Sequence, residues 1–352
     1  MQMVDIGLSH STGEKTLPTI LLYDEHGLRL YDIITTDAPE YYLFRAEEQI
    51  LEDHADEIVK IMHSAAVNAV PGERVLELGV GYASFPDTII PVLTYTHRAL
   101  RKTSHILSAL ARSVTHDTSV TYYALDLEKR ELERALIHIH KYIGKALQGR
   151  VIVKGIFGTY NDGLKYIAEG NANHVSVATG PMISSQFIDD MESPVSLANS
   201  SASESRVSLT DTPSSSPGAS PSPIHIMFLG SSLGNFSRPE AVEFLRGLPL
   251  RSGSGDTLLI GLDHDNDPTK IETAYNDASG HTENFIKNGL RAAGRVLGNE
   301  KLFDKDNWEY VNKYDSVSPR RSYVWQRHLT QPSPGPSYVR KNTLSTHFLR
   351  VE

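Results

Sequence analysis

Five short apolar runs punctuate the middle of the chain: "RVLELGV" (74–80), "TYYALDL" (121–127), "RVIVKGIFG" (150–158), "IHIMFLG" (224–230) and "DTLLIGLD" (256–263). They read as continuous apolar stretches rather than strict alternation, the pattern of strands covered on both faces. Between them "RKTSHILSALARS", "EKRELERALIHIHKYI" and "RPEAVEFLRGL" repeat apolar positions at helical spacing. Strand and helix in alternation predict a doubly wound α/β domain with a parallel sheet. Ahead of it lies a helical segment, with an amphipathic helix expected over residues 46–63.

Two stretches depart from this rhythm. "SPVSLANSSASESRVSLTDTPSSSPGASPSP" (193–223) is too rich in Ser and Pro to bury a core and is expected to be a disordered surface loop. Residues 316–352 show no clean period and are expected to form a divergent, disordered tail. Composition then narrows the function classes. A net charge of −9 gives no electrostatic footprint for nucleic acid. Zero cysteines remove disulfides, thiolate metal sites and Cys nucleophiles, and fit a reducing compartment. No apolar run is long enough for a membrane helix, and the start lacks the basic-then-apolar order of a signal peptide. A soluble cytoplasmic protein without a membrane or nucleic-acid partner is the expectation.

The chemistry begins at "ELGVG". Gly79 and Gly81 follow a strand and let backbone approach a ligand, because no Cβ obstructs it. Asp126 closes the next strand, where an acid can hold two ribose hydroxyls. Loop and acid together point to a nucleoside cofactor. The third small residue of a dinucleotide fingerprint is missing, since Ser84 follows directly or Arg101 after the interruption, and no Gly-Lys-Ser/Thr P-loop is present. An E-x-G-x-G loop without phosphates to cradle suits S-adenosylmethionine, with another nucleotide enzyme or a coincidental turn as alternatives. A rival is "GSSLG" (230–234), which matches the nucleophile elbow of a hydrolase with Ser232 as nucleophile and His281 or His328 as base. That elbow needs a helix starting at the serine, whereas the helix signals here are Ser237, Pro239 and Glu240. "DHDNDPTKIETAY" (263–275) fails as a calcium loop, with Pro268 and Ala274 at the glycine and glutamate positions. The histidines of "HIHKY" read as helix surface. No metal site is expected.

Several segments together resemble one family. "LPTILLYDEHGLRLYDIIT", "PEYYLFRAEEQIL", "VLELGVG", "RKT", "YYALDL", "FLGSSLGNF" and "LLIGLDHDNDPTKIETAYNDASGHTENFIKNGL" are similar to the S-adenosylmethionine-dependent, histidine-specific methyltransferases. That family includes ergothioneine-pathway histidine Nα-methyltransferases and fungal 4-dimethylallyltryptophan N-methyltransferases. The resemblance implies a Rossmann-like methyltransferase sheet over residues 65–263, with inserts at 82–98 and about 172–222. It also implies a smaller helical and mixed substrate domain, from residues 1–64 and the region 264–315 after the fifth strand. S-adenosyl-L-methionine is then the cofactor, lined by Gly79 and Gly81, paired through Lys102, held at the ribose by Asp126 and touched by Thr159. Tyr41 would close over the junction of cofactor and substrate, next to Tyr23. Gly230, Asn235 and Tyr275 would bind a small-molecule amino acid, with Tyr41 and Asn235 catalytic. L-histidine α-amino methylation leads, and a prenylated tryptophan follows.

The sequence departs from the family twice. Joining Gly81 to Ala99 restores the usual loop-to-helix spacing, so residues 82–98 read as translated intron sequence; mature message carrying those codons would overturn this hypothesis. After Asp315 the family's further strands, with the Glu-x-Ser element that reads an imidazole, have no evident counterpart. The expectation is a sheet lacking its last strand and an inactive or truncated product.

Overall fold

Arg74–Leu78 (β2), Val120–Asp126 (β3), Val151–Phe157 (β4), Ile224–Phe228 (β6) and Thr257–Ile260 (β7) pair in parallel, and Ser176–Thr179 (β5) adds an antiparallel edge to β4. The spatial order is β5-β4-β3-β2-β6-β7, so the chain runs outward from β2 on one side and returns to its other side at β6. The computed structural model describes residues 2–10, 15–63, 71–80, 99–114, 118–169, 176–179, 222–264, 266–304, 308–315, 320–327 and 348–351. All five predicted strands are present. β5 is an addition, because it lies inside the stretch of about 172–222 read as an insert.

The continuous apolar runs are explained by two covered faces. Val75, Tyr122, Ala124 and Met227 point to one side, against Tyr42–Met62 (α3), Ala99–Ser113 (α4) and Lys129–Leu147 (α5). Leu76, Leu78, Tyr123, Leu125, Ile226 and Phe228 point to the other, against Tyr160–Glu169 (α6) and Arg238–Arg246 (α7). Strand residues alternate faces, so both sets must be apolar when helices cover both sides. This is a doubly wound α/β sheet, as expected.

A second core forms apart from the sheet. Gln2–Ser9 (α1), Lys15–Leu17 (β1), the 3-10 turn Thr19–Tyr23, Glu25–Asp37 (α2) and His281–Val296 (α9) enclose Val4, Leu17, Leu22, Ile34, Phe285, Ile286, Leu290 and Trp308. Asp24 caps α2 through Gly27 N at 2.8 Å and also accepts from Asn288 Nδ2 at 2.7 Å, which ties α2 to α9. The strands after α9 correct the expectation of a structureless tail. Trp308–Asp315 (β8) pairs antiparallel with Arg320–Arg327 (β9), which pairs with Phe348–Val351 (β10), and β1 closes the sheet against β10. β8 and β9 form a hairpin, but β10 and β1 join the sheet across long separations, so no local periodicity announces its closure. Among the described residues no helix is long and apolar enough to cross a membrane.

Candidate active site

In an open parallel sheet ligands settle at the carboxyl ends of the strands where the strand order reverses. Here that point lies between β2 and β6. Gly79 follows β2 with φ +73°, a left-handed conformation that favours glycine, and its N–H and that of Val80 donate to Leu125 O. Gly230 follows β6 with φ +76°. Gly81 and residues 82–98 lie outside the described residues. Asp126 ends β3 beside the β2 turn, its Oδ1 accepting from Glu128 N at 2.9 Å.

Helix α3 passes over these strand ends. Its first turns bring Phe44 and Glu47 down onto the switch point, where Lys102 rises from α4. Lys102 Nζ lies 2.5 Å from Glu47 Oε2 and 4.2 Å from the centre of the Phe44 ring. The same carboxylate accepts Gly230 N–H at 2.9 and 3.0 Å. A cleft lined by Tyr31, Tyr41, Phe44, Glu47, Lys102 and Gly230 opens here. Its polar groups thus form a cation and a backbone donor converging on one carboxylate, a charge-assisted arrangement.

Tyrosines wall the cleft. Tyr41, at the N-cap of α3, stands edge-on to Tyr275 at 5.5 Å between ring centres, and its hydroxyl lies 3.2 Å from that of Tyr31. Tyr31 meets Tyr23 edge-on at 6.2 Å, and Phe285 packs on both. The Tyr23 hydroxyl hydrogen-bonds the side chain of Asn235, in the 3-10 turn Ser232–Asn235 after β6. Burial, followed by neighbouring phenols, raises the Tyr41 hydroxyl well above its ordinary range. Burial also raises Tyr23, opposed by the Asn235 hydrogen bond. Both phenols therefore stay protonated at neutral pH and act as hydrogen-bonding groups.

The structure brings Tyr23, Tyr41, Lys102, Gly230, Asn235 and Tyr275 into one neighbourhood through these contacts. Gly79 and Asp126 stand at the adjacent strand ends. Thr159 stands at the carboxyl end of β4, where its Oγ1 donates to Asp162 Oδ2 at 2.7 Å and caps α6. Ser232 does not resemble an activated nucleophile. Its hydroxyl donates to Leu229 O at 2.8 Å, and the α-helix starts only at Arg238, with Ser237 and Glu240 forming a capping box. His328, the other candidate base, lies outside the described residues.

Sequence reasoning missed Glu47, Phe44, Tyr31 and Tyr160. An acid on the buried stripe of the α3 helix was the available signal for Glu47. Tyr160, next to Thr159, has its hydroxyl positioned so that a Cβ on Gly79 would meet it at 3.4 Å.

Comparison with known proteins decides what this cleft belongs to. The sequence pattern of the histidine-specific, S-adenosylmethionine-dependent methyltransferases matches residues 1–206 and 195–331. The chain belongs to this family. An L-tryptophan methyltransferase from Psilocybe serbica is 34% identical over 88% of the chain and 70% of its own length. Ergothioneine biosynthesis protein 1 from Neurospora crassa is 32% identical over 86% of the chain, and its Schizosaccharomyces pombe counterpart 30% over 96%. The chain spans only 25% and 34% of the length of those two proteins.

Family membership makes S-adenosylmethionine the cofactor, and the residues present fit it. Gly79 leaves the strand end open, Asp126 offers an acid at the next strand, and Lys102 already meets a carboxylate of the kind the cofactor's methionine part carries. The family's methyl-transfer chemistry requires no metal ligand in this cleft.

Proposed function

We propose that this chain transfers a methyl group to the α-amino nitrogen of an amino acid with an aromatic side chain, L-tryptophan ahead of L-histidine. The observation that carries the reading is the convergence of Lys102 and the Gly230 N–H on a cleft walled by Tyr31 and Tyr41 at the switch point, with the Tyr23–Asn235 pair packed behind Tyr31. The sequence alone ranks histidine first. The 34% identity to a tryptophan enzyme, most of whose length the chain covers, supports moving an indole amino acid ahead.

Bound S-adenosylmethionine supplies a methyl on a positively charged sulfur, open to attack by a nitrogen lone pair. The chain's residues supply position. Gly79 and Gly81 would line the methionine part, Lys102 would pair its carboxylate, Asp126 would take the ribose hydroxyls, and Thr159 would touch the adenine. Gly230 and Asn235 would hold the amino acid, with Tyr23, Tyr41 and Tyr275 around it. The phenols, kept protonated by burial, orient the amine rather than deprotonate it, so the amine binds as the free base. The aromatic wall excludes water, and alignment of this kind lowers a barrier by several kcal/mol, roughly.

The test is incubation of the purified chain with S-adenosylmethionine and either amino acid, read by mass spectrometry, beside calorimetric titration with S-adenosylhomocysteine. Methylated tryptophan is expected. Cofactor binding without methylation of either amino acid would sink the substrate reading alone; no binding at all would support the inactive product that the interruption at 82–98 suggests.

A further inference from the structure

The opposite end of the sheet holds a polar cluster that methyl transfer does not use. His63 closes α3, Glu73 immediately precedes β2, and His225 sits in β6 opposite Val75, all beneath the α3 face of the sheet. Glu73 and His225 are each 1% exposed and His63 8%. His63 Nε2 lies 2.7 Å from Glu73 Oε1, and His225 Nε2 lies 3.2 Å from that same oxygen. The three donor atoms all fall within 4.8 Å of one another.

Hydrogen bonding within the cluster leaves one atom unserved. His225 Nε2 is fully buried, and its 3.2 Å approach to Glu73 lacks the angle of a good hydrogen bond. Its other nitrogen, Nδ1, is held by Thr257 Oγ1 at 2.8 Å. In the tautomer whose Nδ1 donates to that hydroxyl, Nε2 presents a lone pair to a carboxylate oxygen in a buried site. Two facing lone pairs call for a cation between them. The hydroxyl on Nδ1 is the outer partner that metal-bound imidazoles take, since it fixes ring orientation and tautomer.

We propose that His63, Glu73 and His225 bind a structural zinc ion at the amino end of the sheet. Zinc–nitrogen and zinc–oxygen bonds of about 2.0–2.2 Å put tetrahedral donors about 3.3 Å apart. The observed 2.7 and 3.2 Å need to open by about 0.6 and 0.1 Å, with all three donor atoms already within 4.8 Å of one another. Two imidazoles and one carboxylate suit zinc among available divalent ions, and burial of all three favours a redox-inert structural role over an open catalytic one. The ion would tie the end of α3 to β2 and β6, the elements whose other ends carry Glu47, Gly79 and Gly230. It lies at the end of the sheet opposite the cofactor and does not depend on the substrate assigned above.

The experiment uses the untagged full chain, stripped with a chelator and titrated with zinc alone. One tight equivalent is expected, with a rise in melting temperature, and His225→Gln should weaken that equivalent by at least 100-fold. Should the variant fail to fold, cobalt(II) added to the stripped wild-type chain should give the visible bands of a low-coordinate nitrogen and oxygen site. Zinc binding left unchanged by His225→Gln, or neither zinc nor cobalt binding at one equivalent, would overturn the proposal and leave a hydrogen-bonded triad.

Discussion

The two ends of the parallel sheet each bury a carboxylate, and they do so differently. At the carboxyl end Glu47 is held by a lysine from α4 and an amide at the β6 turn, and Glu47 and Lys102 keep 15% and 10% of their side chains exposed. At the amino end Glu73 is held by two imidazoles, with side-chain exposures of 1% for Glu73, 6% for His63 and 1% for His225. The first arrangement is exchangeable, because a ligand carboxylate offers Lys102 and Gly230 N–H the same oxygens that Glu47 does. The second is closed on every side. In this protein the place for a transient ligand is the one whose buried charge has a chemically equal substitute, and the place for a permanent tie is the one that has none.

Removing Lys102 should break that exchange most severely. Lys102→Ala leaves Glu47 without its cation, a loss of about 3–5 kcal/mol for a buried pair, discounted here for residual exposure to roughly 1–3 kcal/mol. Affinity for S-adenosylhomocysteine, measured by calorimetry, should fall about 100-fold. Adding Glu47→Gln should restore the melting temperature but not the affinity. If the double variant regained binding as well, Lys102 would serve only to neutralise Glu47. A smaller effect is expected at the substrate side of the cleft. Asn235→Ala removes the partner of the Tyr23 hydroxyl and should lower kcat about 10- to 100-fold, while cofactor affinity stays within roughly 2-fold. Equal losses in both would place Asn235 in the cofactor site instead.

The sheet was legible because burial on both faces writes itself into local sequence. "VLEL", "YYALD" and "IHIMF" carry apolar residues at successive positions, and only a strand buried twice tolerates that. The helix cap at Ser237 was legible for the same reason, since its hydrogen bonds are local. The tyrosine shell was read only through resemblance, as Tyr23, Tyr41 and Tyr275 come from a 3-10 turn, a helix N-cap and another helix's C-cap with no shared period. Glu47 escaped notice because an acid in an amphipathic helix reads as solvated surface until the partner from α4 is known. The second sheet escaped for an allied reason. β1 pairs with β10 across nearly the whole chain, and neither strand alone contains the pattern that closure requires.

Glu77, the acid of "ELGVG", offers the finest test, since it lies on the same sheet face between the two ends. Its carboxylate accepts Tyr122 OH at 2.6 Å and Thr103 Oγ1 at 3.0 Å, inside the core. Burial raises it from its ordinary 4.5 to about 7, opposed by those hydrogen bonds and by Lys102, with Glu47 adding to the rise. Between those values the folded chain keeps a proton that the unfolded chain has released. Stability from this group is therefore full below about pH 4.5, declines as pH rises toward 7, and stays at its lower level above that. Glu77→Gln keeps an acceptor for Tyr122 and turns a donor toward Thr103 without a charge. The difference in unfolding free energy between the variant and the wild type should grow from pH 5 to pH 7.5 and reach roughly 1–3 kcal/mol in the variant's favour. Parallel pH profiles would mean that the loop's acid is not destabilised by its burial, because its neighbours already compensate for it.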